Sequence, residues 1–349
     1  MNIGMIGCGE YAMFNYIPEL LEVSAKKHTD INLFVCRRDQ KKLKHIVDAF
    51  GIVKKGYSDF SKMLKNENLD GVIVSTPHKN HLEHAKECID FCDVVLVDKP
   101  LTTNVEDTKK LIRLSKEKGK VLIPAHEYCY KPMYMFMRNE ILEENLGKIK
   151  AINASMKGNV GVYFMNENRW YSKPEISGGG MLLGITYHLI YVINWLINSK
   201  ASEVFTEKMR FYKQDIDIAS EVLVKYENDT EAIFYSKGDE NVSPLSLDIN
   251  VTIAGEKGKI DSKQRLDMII ENGMPKFNEN LELTYTKGNK QKIIKDFPKQ
   301  TSSPLLDFIN CLKGSAPLVS PLDALETNII IKAAYNSANF KKLIKITRD

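Results

Sequence analysis

The chain has 349 residues, 43% of them apolar and 27% charged, which is typical of a folded protein with two domains. Because 49 Lys and Arg residues nearly balance 45 Asp and Glu residues, the net charge of +4 does not favour nucleic acid as a partner. With no run of 18 apolar residues, no basic leader and six cysteines outside any C-x-x-C pair, we expect a cytoplasmic protein with reduced thiols and no membrane partner.

The first 124 residues alternate short apolar runs with amphipathic segments, a pattern typical of βαβ units around a parallel sheet. Strands are predicted over Asn2–Ile6, Ile31–Cys36, Gly71–Ser75, Val94–Val97 and Val121–Pro124. Helices are predicted over Lys41–Phe50, Phe60–Lys65, His81–Phe91 and Val105–Lys118. We therefore predict an α/β domain with a doubly wound parallel sheet over residues 1–124.

Residues 125–349 are predicted to form a second, α+β domain with a mostly antiparallel sheet. Longer runs that alternate apolar and polar residues predict strands over Ile149–Lys157, Glu203–Phe211, Ser220–Tyr226, Glu231–Ser236 and Ser246–Ala254. A strongly apolar helix is predicted over Gly180–Ile197, and a last helix over Leu322–Phe340.

A glycine-rich turn directly follows the first predicted strand. Its residues are Gly7, Cys8, Gly9, Glu10, Tyr11 and Ala12. The first Gly permits a tight turn, the second lets backbone approach a pyrophosphate, and the small third residue lets the helix pack close to the strand. Amides at the helix start would face the phosphates. This spacing also occurs in ordinary turns, but its place at the head of a βαβ series favours a dinucleotide site.

The second predicted strand ends at Cys36 and is followed by Arg37 and Arg38. An NAD-specific fold usually has an acidic residue here for the ribose hydroxyls, whereas guanidinium groups suit the 2′-phosphate of NADP. The pattern favours NADP over NAD. The alternative is that both arginines belong to a solvated loop and that Asp39 contacts the ribose of NAD.

Four further motifs follow along the chain: Ser75-Thr76-Pro77 with His81, Asp98-Lys99-Pro100, Arg169-Trp170-Tyr171, and Ser177-Gly178-Gly179-Gly180 with His188. Together with Pro317-Leu318-Val319-Ser320, they make nearly the whole chain resemble the glucose-fructose oxidoreductase / inositol dehydrogenase (Gfo/Idh/MocA) family. The resemblance implies a Rossmann domain that carries the dinucleotide and a second domain with an open sheet. In that family the sheet commonly forms the oligomer interface, so a homodimer or homotetramer is expected.

The same resemblance assigns roles to individual residues. It implies that Lys99 lies near the nicotinamide and the reacting oxygen, as the lysine of the family's E-K-P motif does, with Asp98 in place of the glutamate. It implies proton transfer by His188, whose ordinary pKa of about 6.5 suits acid and base work. The structural alternatives are a surface lysine and a core histidine. The cofactor site that it implies also includes Ser75, Thr76, Pro77, His81 and Asp98.

One position departs from the family pattern. Relatives typically carry D-x-x-x-H on the helix after the glycines, which sets both side chains on one helix face. Here His188 is kept but Gly184 stands in the aspartate's place. Glu127, where relatives commonly have Asn, is the candidate for compensation; its alternative role is that of an ordinary partner for a neighbouring lysine.

Substrate contacts are expected from Arg169, Trp170 and Tyr171, and more weakly from Tyr163, because aromatic surfaces stack on sugar rings and a guanidinium can bind hydroxyls or a carboxylate. The alternative is a packed loop corner. Three histidines, His78, His81 and His84, are spaced by three residues, which does not converge on one ion, so no metal is expected.

These observations predict an NADP- or NAD-dependent dehydrogenase or reductase that acts on a CH–OH group of a sugar, sugar derivative or cyclitol. One alternative keeps the cofactor but reduces an imine or enone, or carries out a redox-neutral rearrangement of a glycoside. The other is a non-catalytic dinucleotide-binding regulator. The missing aspartate fits a regulator, but the presence of both Lys99 and His188 argues against it.

Overall fold

A computed structural model describes residues 1–27, 29–213, 215–238, 245–271 and 274–348. Its backbone groups into two units. The first comprises Met1–Glu127 and Ser302–Ala324, and the second comprises Tyr128–Thr301 and Leu325–Asp349.

The first unit is built on a parallel sheet of six strands. These are β1 (Asn2–Ile6), β2 (Asn32–Cys36), β3 (Val53–Tyr57), β4 (Gly71–Val74), β5 (Val94–Asp98) and β6 (Val121–Ala125). Their order across the sheet, β3-β2-β1-β4-β5-β6, is that of the Rossmann fold and confirms the predicted doubly wound sheet. The order reverses between β1 and β4, and ligands of such sheets bind outside the carboxyl ends of the strands at that point.

Five helices connect these strands. They are α1 (Ile17–Lys27), α2 (Gln40–Ala49), α3 (Phe60–Asn66), α4 (His81–Phe91) and α5 (Val105–Glu117). Side-chain caps help to set where they begin: Asp39 accepts a hydrogen bond from Lys42 N at 3.0 Å, and Asn104 accepts one from Asp107 N at 2.8 Å. Such caps contribute ~1 kcal/mol each to helix stability.

Strand β3 was not among the predicted elements, and its position explains why. It lies at one edge of the sheet, and Lys54 and Lys55 in its centre are exposed. Edge strands commonly carry charged residues, which oppose pairing with another chain. The short polar run therefore lacks the apolar signal of a buried strand.

The second unit contains a sheet of nine strands. They are β7 (Ile149–Gly158), β8 (Ala201–Lys213), β9 (Ile216–Tyr226), β10 (Glu231–Gly238), β11 (Ser246–Gly255), β12 (Gly258–Glu271), β13 (Met274–Lys287), β14 (Lys290–Ile294) and β15 (Ile344–Lys345). The order is β14-β13-β12-β11-β7-β10-β9-β8-β15. Neighbours pair antiparallel except β7 with β10, which confirms the predicted mostly antiparallel sheet.

The remaining helices complete both units. They are α6 (Pro132–Leu142), α7 (Gly161–Met165), α8 (Pro174–Ser177), α9 (Tyr187–Ile197), α10 (Pro304–Cys311) and α11 (Pro321–Phe340). Within the described residues, one stretch, Pro174–Ile197, is long and apolar enough to cross a membrane, but 89% of its most apolar window is buried inside the protein. Core helices pass the same test, so this stretch is weak evidence for a membrane span.

Candidate active site

The turn after β1 can be made only by glycine at its first position. Gly7 has φ of +90°, and its amide donates to the carbonyl of Cys36 at 3.0 Å. A Cβ atom at Gly7 would lie 2.2 Å from the carbonyl oxygen of Ser75. The backbone after β1 is therefore pressed against the backbone after β4, at the point where the strand order reverses.

Gly9 faces open space instead. Apart from Gly9 itself and its two chain neighbours, no heavy atom of the described residues lies within 4 Å of where its Cβ would stand. The carbonyl of Gly9 accepts from Met13 N at 3.0 Å as the helical segment begins. Ala12 is fully buried. Amides in the first turn of a helix lack intrahelical partners and attract phosphate. The turn over Gly7–Ala12, called the glycine cradle below, therefore fits the pyrophosphate of a dinucleotide.

The two arginines after β2 have different surroundings. Arg37 donates through Nη1 to the carbonyl of Cys8 in the glycine turn, whereas Arg38 is exposed. Burial lowers the pKa of His84 to about 4, together with the positive charges of His81 and Arg38. Asp39 caps α2 with its carboxylate.

His81 joins two loops of the first unit. Its ring is completely buried, with Nε2 2.7 Å from the carbonyl of Thr76 and Nδ1 2.8 Å from the carbonyl of Pro100. Thr76 also contacts Nδ1 of His84 through its hydroxyl at 3.1 Å. The loop after β4 and the Lys99–Pro100 segment after β5, whose peptide bond is cis, are thus held together through one side chain.

Asp98 connects the end of β5 by hydrogen bonds to Ser75 and Tyr16. It accepts hydrogen bonds from Ser75 Oγ at 2.5 Å and from the hydroxyl of Tyr16. Burial raises the pKa of Asp98, while these two hydrogen bonds oppose the rise. Tyr16 belongs to a π-helical turn, Ala12–Tyr16, and such turns occur frequently at functional sites.

Lys99 lies among several titratable groups at the end of β5. Burial lowers the pKa of its ammonium, while the negative charges of Glu127 and Asp98 raise it. The pKa of His126 is held well below its usual range by burial and by the positive charge of Lys99. Glu127 accepts a hydrogen bond from the hydroxyl of Tyr11 at 3.3 Å. Glu127 is therefore within electrostatic reach of Lys99, although the two are 28 positions apart in the chain.

His188, in the second unit, is held by an aromatic stack. Its imidazole lies on the ring of Tyr128, with centroids 4.7 Å apart and planes inclined by 22°. Tyr128 stacks in turn on Tyr134 at 5.5 Å and carries the ammonium of Lys131 over its ring at 5.0 Å. A second π-helical turn, Leu182–Thr186, comes just before this histidine.

The space that an aspartate would use at position 184 is filled by a benzene ring. A Cβ atom at Gly184 would lie 2.8 Å from Cζ and 2.9 Å from Cε1 of Phe164. Phe164 is 1% exposed, so the ring cannot easily move into solvent. Apolar packing therefore leaves no space for a side chain at position 184.

A buried carboxylate of the second unit anchors the glycine segment before α9. Asp217 accepts hydrogen bonds from Gly180 N at 3.0 Å, Leu182 N at 2.7 Å and the Tyr335 hydroxyl at 2.6 Å. A Cβ atom at Gly180 would lie 2.0 Å from the carbonyl oxygen of Asp217, which explains the glycine. The sequence analysis did not predict a role for Asp217. The pattern that could have indicated one is an acidic residue at a buried position of the strand β9.

The predicted substrate residues form an aromatic corner in the second unit. Trp170 stacks on Tyr171 with centroids 3.7 Å apart, and the guanidinium of Arg169 lies 4.7 Å from the ring centre of Tyr163. Tyr171 meets Phe164 edge to face at 6.0 Å. The corner thus reaches the ring that fills the space beside Gly184.

The predicted site residues therefore fall into two sets, one in each unit. Lys99, Glu127 and the predicted cofactor residues lie in the first unit, at the carboxyl ends of its strands. His188 and the aromatic corner lie in the second unit. Within the described ranges, no group of three His, Cys, Asp or Glu side chains is arranged to hold a metal ion.

Two family models match the chain. Residues 1–126 match the Gfo/Idh/MocA oxidoreductase family, NAD-binding Rossmann fold, and residues 138–346 match the family's C-terminal alpha/beta domain. Oxidoreductase P35 of Formosa agariphila is 26% identical over 267 residues, which cover 74% of this chain and 78% of that protein. The trans-1,2-dihydrobenzene-1,2-diol dehydrogenase of Xenopus tropicalis is 24% identical over 65% of each chain.

Solved structures share the fold. The aldose-aldose oxidoreductase of Caulobacter crescentus, crystallised with glycerol, superposes with a TM-score of 0.81 at 18% identity and 99% coverage of both chains. The WlbA dehydrogenase of Bordetella pertussis, in complex with NADH and UDP-GlcNAcA, gives 0.79 at 19% identity and covers 99% of this chain and 98% of that one. With both family models matched, the chain belongs to the Gfo/Idh/MocA family of oxidoreductases and carries its NAD-binding Rossmann domain.

Proposed function

We propose that this protein is an NADP-dependent dehydrogenase or reductase that acts on a secondary alcohol or ketone of a sugar, sugar derivative or cyclitol. The observation that carries the proposal is Lys99, a partly buried ammonium at the end of β5 beside two carboxylates, in the same unit as the glycine cradle. Relatives support the substrate class, since one neighbour was crystallised with a sugar nucleotide and NADH.

The cofactor supplies hydride chemistry at its nicotinamide, and the protein supplies position and charge. Gly7 and Gly9 would hold the pyrophosphate at the start of the helical segment. Lys99 is proposed to stabilise negative charge on the reacting oxygen, and His188 is proposed to act in proton transfer. Tyr128 keeps the imidazole of His188 in one orientation by stacking on it.

The second candidate function keeps the dinucleotide and changes the chemistry, either to imine or enone reduction or to a redox-neutral rearrangement of a glycoside. The ring of Phe164 fills the space beside Gly184, the position at which the family resemblance implies a carboxylate, and this favours the second candidate over a fully conventional site. Purified protein that already carries dinucleotide and needs none added would support the rearrangement. A protein that binds dinucleotide but turns over no polyol or ketose in a broad screen would instead support a regulator.

Glu127 is proposed to set the charge state of Lys99. Replacing Glu127 by Gln should move the alkaline fall of kcat/KM to lower pH, because the ammonium loses a neighbouring negative charge and its pKa falls further below the usual value. The measurement is a pH profile of kcat/KM, with Glu117→Gln on the exposed end of α5 as the matched control. Profiles that coincide for the wild type and Glu127→Gln would remove this role.

Arg38 is proposed to contact the 2′-phosphate, because Arg37 already donates to Cys8 and Asp39 caps α2. Replacing Arg38 by Ala should weaken NADP binding about tenfold to a hundredfold, since a hydrogen bond to a charged group contributes ~1.5–3 kcal/mol. NAD binding should stay nearly the same. Titration with both cofactors measures this, with the exposed Arg113→Ala as control. Tighter binding of NAD than NADP by the wild type would contradict the proposed preference.

We also propose a cytoplasmic homodimer or homotetramer that associates through the sheet of the second unit. Three apolar side chains on β12, β13 and β14 support this, since Ile270, Phe277 and Ile293 are each more than half exposed. Exposed apolar patches of this kind commonly mark interfaces. All six cysteines are buried with free thiols, as suits a reducing compartment.

A further inference from the structure

A π-helical turn at the end of the glycine cradle places two tyrosines side by side in the first unit. The amide of Ile17 donates to the carbonyl of Ala12, five residues earlier, which is the hydrogen bond of a π-helix. In an α-helix, side chains five positions apart point about 140° away from each other. Here the rings of Tyr11 and Tyr16 meet edge to face, with centroids 5.3 Å apart and planes at 84°. The wider turn therefore accounts for this contact.

Each tyrosine donates its hydroxyl hydrogen to a different carboxylate. Tyr11 donates to Oε2 of Glu127 at 3.3 Å, and Tyr16 donates to Oδ1 of Asp98. Burial lowers the pKa of Lys99, and the negative charges of Glu127 and Asp98 oppose this. The two tyrosines thus contact both of the carboxylates that favour the charged form of the lysine.

The two carboxylates are held to different degrees. Asp98 accepts a second hydrogen bond from Ser75 Oγ at 2.5 Å, and its partner Tyr16 is 4% exposed. Glu127 is only partly buried, and Tyr11 is the one hydrogen-bond donor to its side chain among the residues that the structure describes. Because water could solvate a partly buried carboxylate instead, the hydroxyl of Tyr11 decides where this charge lies.

Three further titratable groups act on this cluster. His81 and His126 are buried, and burial lowers the pKa of each, with the positive charge of Lys99 as a further cause. Neither histidine therefore carries a positive charge at pH 8. Glu19, on α1, is a further carboxylate whose charge acts on Tyr11. A substitution that removes only the hydroxyl of Tyr11 leaves all three groups in place.

We propose that Tyr11 is a positioning residue that holds the carboxylate of Glu127 beside Lys99, with the ring of Tyr16 fixing the direction of the Tyr11 hydroxyl. Tyr11 acts through Glu127 and Lys99 and not on the reacting atoms. The inference rests on the proposed function for the role of Lys99 in chemistry, but the arrangement of the side chains can be tested without substrate. It also gives the π-helical turn a purpose, since an α-helical turn would separate the two rings.

The test measures the pKa of Lys99 in the full chain, without added cofactor or substrate. Acetic anhydride labels neutral lysine amines, and mass spectrometry of the peptide that contains Lys99 follows its labelling against pH, relative to the exposed Lys109. Tyr11→Phe keeps the ring and removes the hydroxyl, so the carboxylate of Glu127 should turn away and the pKa of Lys99 should fall. The neutral fraction of Lys99 at pH 8 should rise about threefold or more.

Tyr57→Phe is the matched control. Tyr57 also donates its hydroxyl hydrogen to a carboxylate, that of Glu67, but it lies on β3, which three strands separate from β5. Labelling of Lys99 in this variant should match the wild type. Glu127→Gln should also lower the pKa of Lys99, and adding Tyr11→Phe to it should have no further effect, because the two residues act through one contact.

The outcomes separate this inference from the proposed function. An unchanged or higher pKa of Lys99 in Tyr11→Phe or in Glu127→Gln would overturn the positioning role. Additive effects of the two substitutions would overturn it as well, since the residues would then act independently. The expected labelling in a protein that turns over no sugar or cyclitol would support the positioning role and contradict the proposed function alone.

Discussion

Replacing Lys99 by Met should lower kcat by about a thousandfold, within the range for removal of a positioned acid or base. The substitution keeps the approximate length and the apolar stem of the side chain but removes the ammonium that is proposed to stabilise charge on the reacting oxygen. Binding of NADP should change much less, because the cradle at Gly7 and Gly9 is left intact. Steady-state kinetics with a reactive sugar or cyclitol and a separate cofactor titration measure the two effects.

The control for this experiment is Lys109→Met, at an exposed position of α5. It makes the same chemical change on the same unit and should leave kcat unchanged. If Lys99→Met turned over substrate as fast as Lys109→Met, Lys99 would have no part in the chemistry. A loss of both turnover and cofactor binding would instead assign it to holding the dinucleotide.

Replacing Asp217 by Ala should destabilise the second unit by about 3–5 kcal/mol, because three buried donors lose their acceptor and each unsatisfied donor costs ~1–3 kcal/mol. Two backbone amides at the glycine segment and the hydroxyl of Tyr335 would lose their acceptor inside the protein. A fall of about 10 °C in Tm is expected for a unit of this size. Calorimetry or denaturant unfolding measures it.

Asp229→Ala provides the comparison for Asp217→Ala. Asp229 pairs with Lys148 at 2.8 Å on the surface, where ion pairs contribute at most about 1 kcal/mol. Its Tm should stay close to that of the wild type. Equal effects of the two substitutions would mean that the glycine segment does not depend on its carboxylate anchor.

Much of the fold could be predicted because its signals are local. Strand β1 and helix α4 have the bounds predicted from their apolar spacing. Strands β12 to β14 were not predicted, since β14 is almost wholly exposed and its neighbour β13 is exposed along much of its length, so neither has a strong apolar pattern. Their pairing depends on tertiary structure, because it follows from the register with β11 and not from the residues of each strand alone.

Parts of the candidate site could be predicted only where a short motif with fixed spacing marks them, as in the glycine turn. The motif order also singled out Lys99 and His188. The contacts between Asp217 and Gly180, and between Phe164 and Gly184, join residues that no short pattern links. These contacts form only when strands and helices pack together, so no local pattern in a single sequence predicts them.

The ring of Phe164 beside Gly184 also bears on how this chain could evolve. A single change of Gly184 to Asp would place Cβ 2.8 Å from that ring and add a charge to a buried position. A single change of Phe164 to Ala would leave a cavity and destabilise the unit by about 3–5 kcal/mol. Each single change is therefore expected to destabilise the second unit, so an aspartate at position 184 would require a smaller side chain at position 164 as well.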